Sequence, residues 1–113
     1  MKNNEIIKRF EDHLFAEKTC LQLIREFDRV GISIPLEPKE RDKNQIIKQL
    51  ATELGLIMEQ APQLLSQLFY AVDLPEEQIE KIFTKGEDVA SEIAELLLIR
   101  AAQKVYIREK FSG

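Results

Sequence analysis

The chain has 113 residues, of which only four are glycine and four are proline. Together these make up about 7% of the chain, against roughly 12% in an average protein, which excludes a collagen-like chain and argues against a loop-rich fold. The formal net charge is −4, from 16 basic and 20 acidic residues. An acidic chain has no long-range attraction to phosphate backbones, so its charge disfavours non-specific nucleic-acid binding.

The composition predicts an all-α, single-domain bundle of five or six helices over residues 1–113. Leucine and isoleucine dominate the apolar residues, and the polar residues are mostly Glu, Gln, Lys and Arg. All of these except isoleucine are good helix formers. The single cysteine, Cys20, cannot form an internal disulfide, and the first ten residues carry charges where a signal peptide needs an apolar core. We therefore expect a cytoplasmic protein.

Over the first thirty residues, apolar side chains recur every three or four positions, which indicates helical structure. Thr19 and Gln22 have the spacing of a capping box, which predicts two helices over about residues 4–16 and 19–30. The alternative is one continuous helix in which this spacing is a coincidence. Gly31 can supply the left-handed residue that ends the region.

Residues 31–42 form the one predicted loop, because two prolines within them prevent a helix from continuing. Apolar side chains alternate along the first half of the loop, at Ile32, Ile34 and Leu36. No second strand is available for pairing, so we expect an extended segment that lies along the bundle.

Four more helices are predicted, over about residues 43–60, 62–72, 74–85 and 87–111. Asp42 can cap the first of them, with Gln45 three residues later. Asp73 is predicted to cap the helix that has Pro75 in its first turn, and Gly86 to end that helix.

Residues 93–102 are apolar around most of the helical circumference, which is typical of a helix surrounded by others. The long C-terminal helix is therefore predicted to lie at the centre of the bundle. The same stretch contains Glu95 and Arg100 and has only ten residues, too few to cross a bilayer. No membrane association is expected.

The segment from Leu50 to Leu56 resembles the start of a DNA-binding helix-turn-helix, in which a small residue packs where the helices cross and a glycine four residues later makes the turn. Ala51 and Gly55 match this pattern. The resemblance implies a transcriptional regulator with a degenerate helix-turn-helix over residues 50–72. It fails beyond Gly55, because Pro62 interrupts the recognition helix and no Lys or Arg occurs between positions 49 and 80.

A metal site is the hypothesis for His13, Glu17 and Cys20, whose spacing would place them on one face of a continuous helix. The simpler interpretation is a buried cysteine beside a solvated histidine and glutamate. Since the chain has one histidine, no nucleophile elbow and no phosphate-binding glycine loop, we expect no metal, cofactor or catalytic residues.

Arg100, Lys104 and Arg108 recur every four residues on the last helix, and none has a carboxylate four residues before it. Like charges in a row repel each other unless another group compensates them. Arg100, Lys104 and Arg108 are therefore candidates for contact with an anion or a partner. For Arg100 the favoured interpretation is an ion pair with an acid of another helix inside the bundle, and a binding role is the alternative.

Residues 57–72 carry more apolar side chains than a small bundle needs for its own core. Four of them are predicted to form an interface, namely Met58, Leu65, Phe69 and Tyr70. Such an interface would serve a protein partner or a homodimer, and the alternative is a monomer that buries all of it.

These observations favour a protein-interaction, scaffold or regulatory accessory module without catalytic activity, a cofactor or an evident small-molecule substrate. The nucleic-acid-associated regulator is the alternative function.

Overall fold

The computed structural model describes residues 3–39 and 42–111, which form six α-helices and no β-strand. The helices are α1 (Asn3–Arg9), α2 (His13–Arg29), α3 (Lys43–Gln60), α4 (Gln63–Val72), α5 (Glu76–Lys85) and α6 (Val89–Phe111). The predicted all-α bundle is confirmed.

The break near the N-terminus lies at residues 10–12 and not at Thr19, so the predicted helices over 4–16 and 19–30 are wrong. The Asp12 carboxylate caps α2 by accepting a hydrogen bond from the backbone N–H of Leu14 at 3.0 Å. Thr19 is buried inside α2, where its hydroxyl donates to the Phe15 carbonyl at 2.9 Å. The Thr19 hydroxyl is bonded to the carbonyl of the preceding helical turn and does not cap a helix end. The capping-box prediction is therefore wrong.

The loop after α2 follows the sequence prediction. Gly31 has a φ of 78° and supplies the left-handed conformation with which α2 ends. The segment after it is extended, and it buries Ile34 and Leu36 while Ser33, Pro35 and Glu37 face solvent. The alternation therefore marks a strap along the bundle and not a paired strand.

The bounds of α3 agree with the prediction. The Asp42 carboxylate accepts from the N–H of Gln45 at 2.8 Å, and the Gln45 side chain accepts from the N–H of Asp42 at 3.0 Å. This capping box satisfies two backbone donors at the helix start. From there α3 continues without interruption to Gln60.

The prediction that Asp73 caps α5 is wrong, because Asp73 ends α4. It has a φ of 64°, and its backbone N–H bonds to carbonyls of the last turn of α4. Aspartate tolerates the left-handed conformation better than most residues, and α4 has no glycine at this position. The start of α5 is consequently later than predicted, at Glu76 after Pro75, while Gly86 ends it with a φ of 72°.

The central position of α6 is confirmed, because α6 packs against each of the other five helices. Its buried residues cover about half of the helical circumference, and they are Ile93, Ala94, Leu97, Leu98, Ala101, Ala102 and Val105. Three alanines in this set allow neighbouring helices to approach closely. None of the helices in the described residues is both long and apolar enough to span a membrane.

Candidate functional site

A row of polar contacts joins α2 to α6 along their antiparallel packing. Three residues of α2, each separated from the next by about one turn, contact three residues near the C-terminal end of α6. The pairs are Lys18 with Glu109 at 3.3 Å, Gln22 with Arg108 at 2.8 Å, and Glu26 with Lys104. We call this row the α2–α6 seam. It places polar groups beside the apolar core.

Glu26 is completely buried in the seam, and its Oε2 atom forms an ion pair with the Lys104 ammonium. The other carboxylate oxygen, Oε1, has no hydrogen-bond partner within the described ranges. Only about a fifth of the Lys104 side chain is exposed. Lys104 therefore neutralises the buried charge of Glu26, and Glu26 in turn compensates the charge of Lys104.

Gln22 is almost fully buried, and its side-chain oxygen accepts hydrogen bonds from two guanidinium groups. Arg108 donates to Gln22 Oε1 through Nη2 at 2.8 Å, and Arg25 donates to the same atom at 3.0 Å. The amide oxygen is neutral, so these contacts orient the two guanidinium groups without cancelling their charge.

Arg100 forms the intramolecular ion pair that the sequence left as one of two alternatives. Its Nη2 atom lies 3.1 Å from Asp73 Oδ2, and its Nε atom donates to the Asp73 carbonyl at 3.3 Å. Arg100 therefore ties the end of α4 to α6. The predicted contact of Arg100, Lys104 and Arg108 with an external anion or partner stays a prediction.

The end of α1 and the first turns of α2 carry two further cations that the sequence did not indicate. Arg9 and Lys18 share the carboxylate of Glu109, at 3.2 and 3.3 Å. The Arg9 guanidinium also lies over the rings of Phe15 and Tyr106, at 4.8 and 5.7 Å from their centroids. Since about a hundred positions separate Arg9 from Glu109, no local pattern could have indicated this cluster.

A groove of about 510 Å³ lies between α4 and α5. It is lined by Ser66, Phe69, Tyr70, Asp73, Leu74, Glu76, Ile79 and Glu80. Asp73 ends α4 in a left-handed conformation, and the buried Leu74 follows it before α5 begins. Because α5 has no buried residue of its own, part of the apolar surface between the two helices remains open.

Of the four predicted interface residues, only Phe69 and Tyr70 line the groove. Tyr70 is 90% exposed, the highest value among the exposed large hydrophobic residues described. Met58, Leu65 and Phe69 are partly buried. The interface prediction itself stays untested, but the structure places its most exposed member at the groove.

The helix-turn-helix geometry does not form at the predicted position. Gly55 lies in the interior of α3, and the chain turns only at Ala61 and Pro62. A glycine with helical backbone angles cannot make the turn that the motif requires. The chain therefore lacks the turn at Gly55 on which the resemblance to a helix-turn-helix rests.

His13, Glu17 and Cys20 do not share one environment. His13 is exposed at the start of α2, whereas Cys20 is completely buried in the core. In the ranges 3–39 and 42–111 no group of three or more His, Cys, Asp or Glu side chains is arranged to hold a metal ion. All three residues lie in one continuous helix, α2, but its packing buries Cys20 while His13 is exposed, which agrees with the simpler interpretation of a buried cysteine beside a solvated histidine.

Comparison with protein-family models, with curated proteins and with solved structures gives no significant match to this chain. The class that the fold defines is the all-α helical bundle with a long C-terminal helix at its centre. Any function must therefore be argued from the geometry of the groove and the seam.

Proposed function

We propose that the protein is a non-catalytic interaction module that binds a basic, amphipathic segment of another protein in the groove between α4 and α5. The observation that carries the proposal is the combination of an open apolar floor with carboxylates at its edge. Phe69, Leu74 and Ile79 supply the apolar surface, and Tyr70 stands exposed beside them. Exposed aromatic side chains next to a depression are typical anchors of protein interfaces.

The charge around the groove indicates the chemistry of the partner. Glu76 and Glu80 line it and have no ion-pair partner among the residues described, whereas the Asp73 carboxylate is occupied by Arg100. No Lys or Arg occurs between positions 49 and 80 to offset these charges. Lysine or arginine in the partner would complement this rim and increase its rate of association.

The test is the selection of binding peptides from a random displayed library against the full chain. We expect the selected peptides to carry Lys or Arg beside Leu, Phe or another large apolar residue. Their affinity, measured by fluorescence polarisation, should fall by about tenfold in the Tyr70→Ala variant, as expected when an interface aromatic is removed. Binding should also weaken at higher salt, since exposed charges are screened.

A matched pair of variants separates the groove from the overall charge. Glu76→Gln/Glu80→Gln and Glu37→Gln/Glu59→Gln remove the same number of negative charges, and only the first pair lines the groove. We expect the first variant to weaken binding and the second to leave it unchanged. Peptides without a basic excess, or equal binding by both variants, would contradict the proposal. A concentration-dependent mass in light scattering that Tyr70→Ala abolishes would also contradict it, because the groove would then hold a second copy of the chain.

A further inference from the structure

Arg25 and Arg108 converge at the surface of the α2–α6 seam, outside the groove between α4 and α5. Both guanidinium groups donate through Nη2 to Gln22 Oε1, at 3.0 and 2.8 Å. Because they share this oxygen, the two nitrogens lie within roughly 6 Å of each other, within the span of one polyatomic anion. Within residues 3–39 and 42–111 neither guanidinium has a carboxylate partner.

The other seam cations are compensated to a greater degree. Lys104 is paired with the buried Glu26, and Arg9 and Lys18 share Glu109. In the described part of the seam, Gln22 is the one neutral acceptor that two cations share. Two like charges at this separation repel each other, and an amide oxygen cannot remove that repulsion. The convergence therefore leaves a local positive excess in a chain whose total charge is −4.

The two guanidinium groups lie at the protein surface above a buried amide. Gln22 is nearly buried, while Arg25 and Arg108 are exposed. Each guanidinium group has five N–H donors in a fixed planar arrangement, and only one nitrogen of each contacts Gln22. The remaining donors can engage the oxygens of an anion in bidentate fashion.

We propose that Arg25 and Arg108 bind the phosphate group of a ligand. A phosphate monoester carries nearly two negative charges and three acceptor oxygens, which matches two guanidinium groups better than a singly charged carboxylate does. Leu21 and Ile107, the neighbours of Gln22 and Arg108 in sequence, are about half exposed. The site thus offers apolar surface near the cations, and the phosphate can belong to a soluble ester or to a lipid headgroup. This site shares no residue with the groove between α4 and α5.

The test uses the full chain and inorganic phosphate at constant ionic strength, with chloride as the reference anion. Heteronuclear NMR should show saturable shifts of the Gln22 side-chain amide and of the arginine Nε signals. Arg25→Gln and Arg108→Gln should each weaken binding about tenfold, because each removes one charge-assisted contact. The control is Arg29→Gln, which removes the same charge from an exposed arginine of α2 and should leave binding unchanged. Circular dichroism verifies that each variant is folded.

A second arm distinguishes the two sources of phosphate. Vesicles of phosphatidylcholine with and without a phosphoinositide are sedimented with the protein. Arginine-dependent binding to inorganic phosphate without cosedimentation assigns a soluble ligand, and arginine-dependent cosedimentation with the phosphoinositide vesicles alone assigns a headgroup. Both results support the site. The proposal is overturned if phosphate and vesicles both fail to bind, or if Arg29→Gln weakens binding as much as the seam variants do.

Discussion

At the scale of single residues, the seam depends most on Glu26, the one charged side chain that the described residues bury completely. A carboxylate removed from water is costly unless a cation and hydrogen bonds compensate it. Lys104 supplies the cation at one oxygen, and the other oxygen has no partner in the described part of the chain. The stability of the bundle should therefore be more sensitive to Lys104 than to the exposed cations.

We expect Lys104→Met to lower the free energy of unfolding by about 3 kcal/mol, because it leaves the Glu26 charge buried without compensation. Urea denaturation followed by circular dichroism at neutral pH measures this loss. The double variant Glu26→Leu/Lys104→Met should recover most of it, since apolar residues of similar volume replace a buried ion pair at little cost. A loss below about 0.5 kcal/mol in the single variant would show that the pair is energetically minor.

At the scale of the helices, their ends are determined by one or two backbone conformations each. Gly86 ends α5 with a φ of 72°, and a Cβ atom there would meet nothing closer than a carbonyl oxygen at 3.9 Å. Gly55 lies inside α3, and its Cβ would meet no atom within 4 Å. Space is therefore available at both positions, and only the backbone conformation distinguishes them.

Alanine substitutions at these two glycines should have opposite effects. Gly55→Ala should raise the free energy of unfolding by about 0.5–1 kcal/mol, because alanine has the higher helix propensity. Gly86→Ala should lower it by about 1 kcal/mol, because alanine is strained in the left-handed region. Thermal unfolding of the two variants beside the parent chain provides the comparison. Stabilisation by both substitutions would mean that the left-handed turn after α5 is not required.

Some of these helix ends could be predicted from sequence, because their signals are local. The Asp42 capping box and the glycines that end α2 and α5 depend only on residues within a few positions. Thr19 and Asp73 were misassigned because threonine and aspartate satisfy backbone groups in more than one way. Which way operates depends on whether the residue faces the core, as Thr19 does, or ends a helix that has no glycine, as Asp73 does.

At the scale of the whole molecule, α6 is the element around which the bundle is arranged. It contacts all five other helices, and its buried positions surround the fully buried Leu97. A side chain enclosed by several helices leaves a cavity when it is shortened, because its neighbours cannot all move inward.

We expect Leu97→Ala to lower the free energy of unfolding by about 2–5 kcal/mol. The matched control is Leu14→Ala on α2, which removes the same atoms from a side chain that is 56% exposed and should change stability by less than about 0.5 kcal/mol. Equilibrium denaturation measures both. Similar losses in the two variants would contradict the central position of Leu97.

The distribution of charge also belongs to the whole molecule. The acidic stretch from position 49 to 80 is visible in the sequence, and the structure places Glu76 and Glu80, which have no ion-pair partner in the described ranges, at an apolar groove. The positive excess at Gln22 is not visible, because Arg25 and Arg108 lie 83 positions apart and meet only through the packing of α2 on α6. Of the proposed sites, the sequence therefore indicated Phe69, Tyr70 and Arg108, but not Arg25.

The sequence by itself determined the all-α class, the approximate positions of α3 to α6, the extended strap and the central place of the last helix. These follow from residue composition and apolar periodicity, which act over one or two helical turns. Tertiary structure decided the partners of Arg100, Lys104 and Arg108, the burial of Glu26 and Cys20, and the opening between α4 and α5. Such features depend on how helices that are distant in sequence pack together. No local sequence pattern determines which side chain of one helix will contact a given side chain of another.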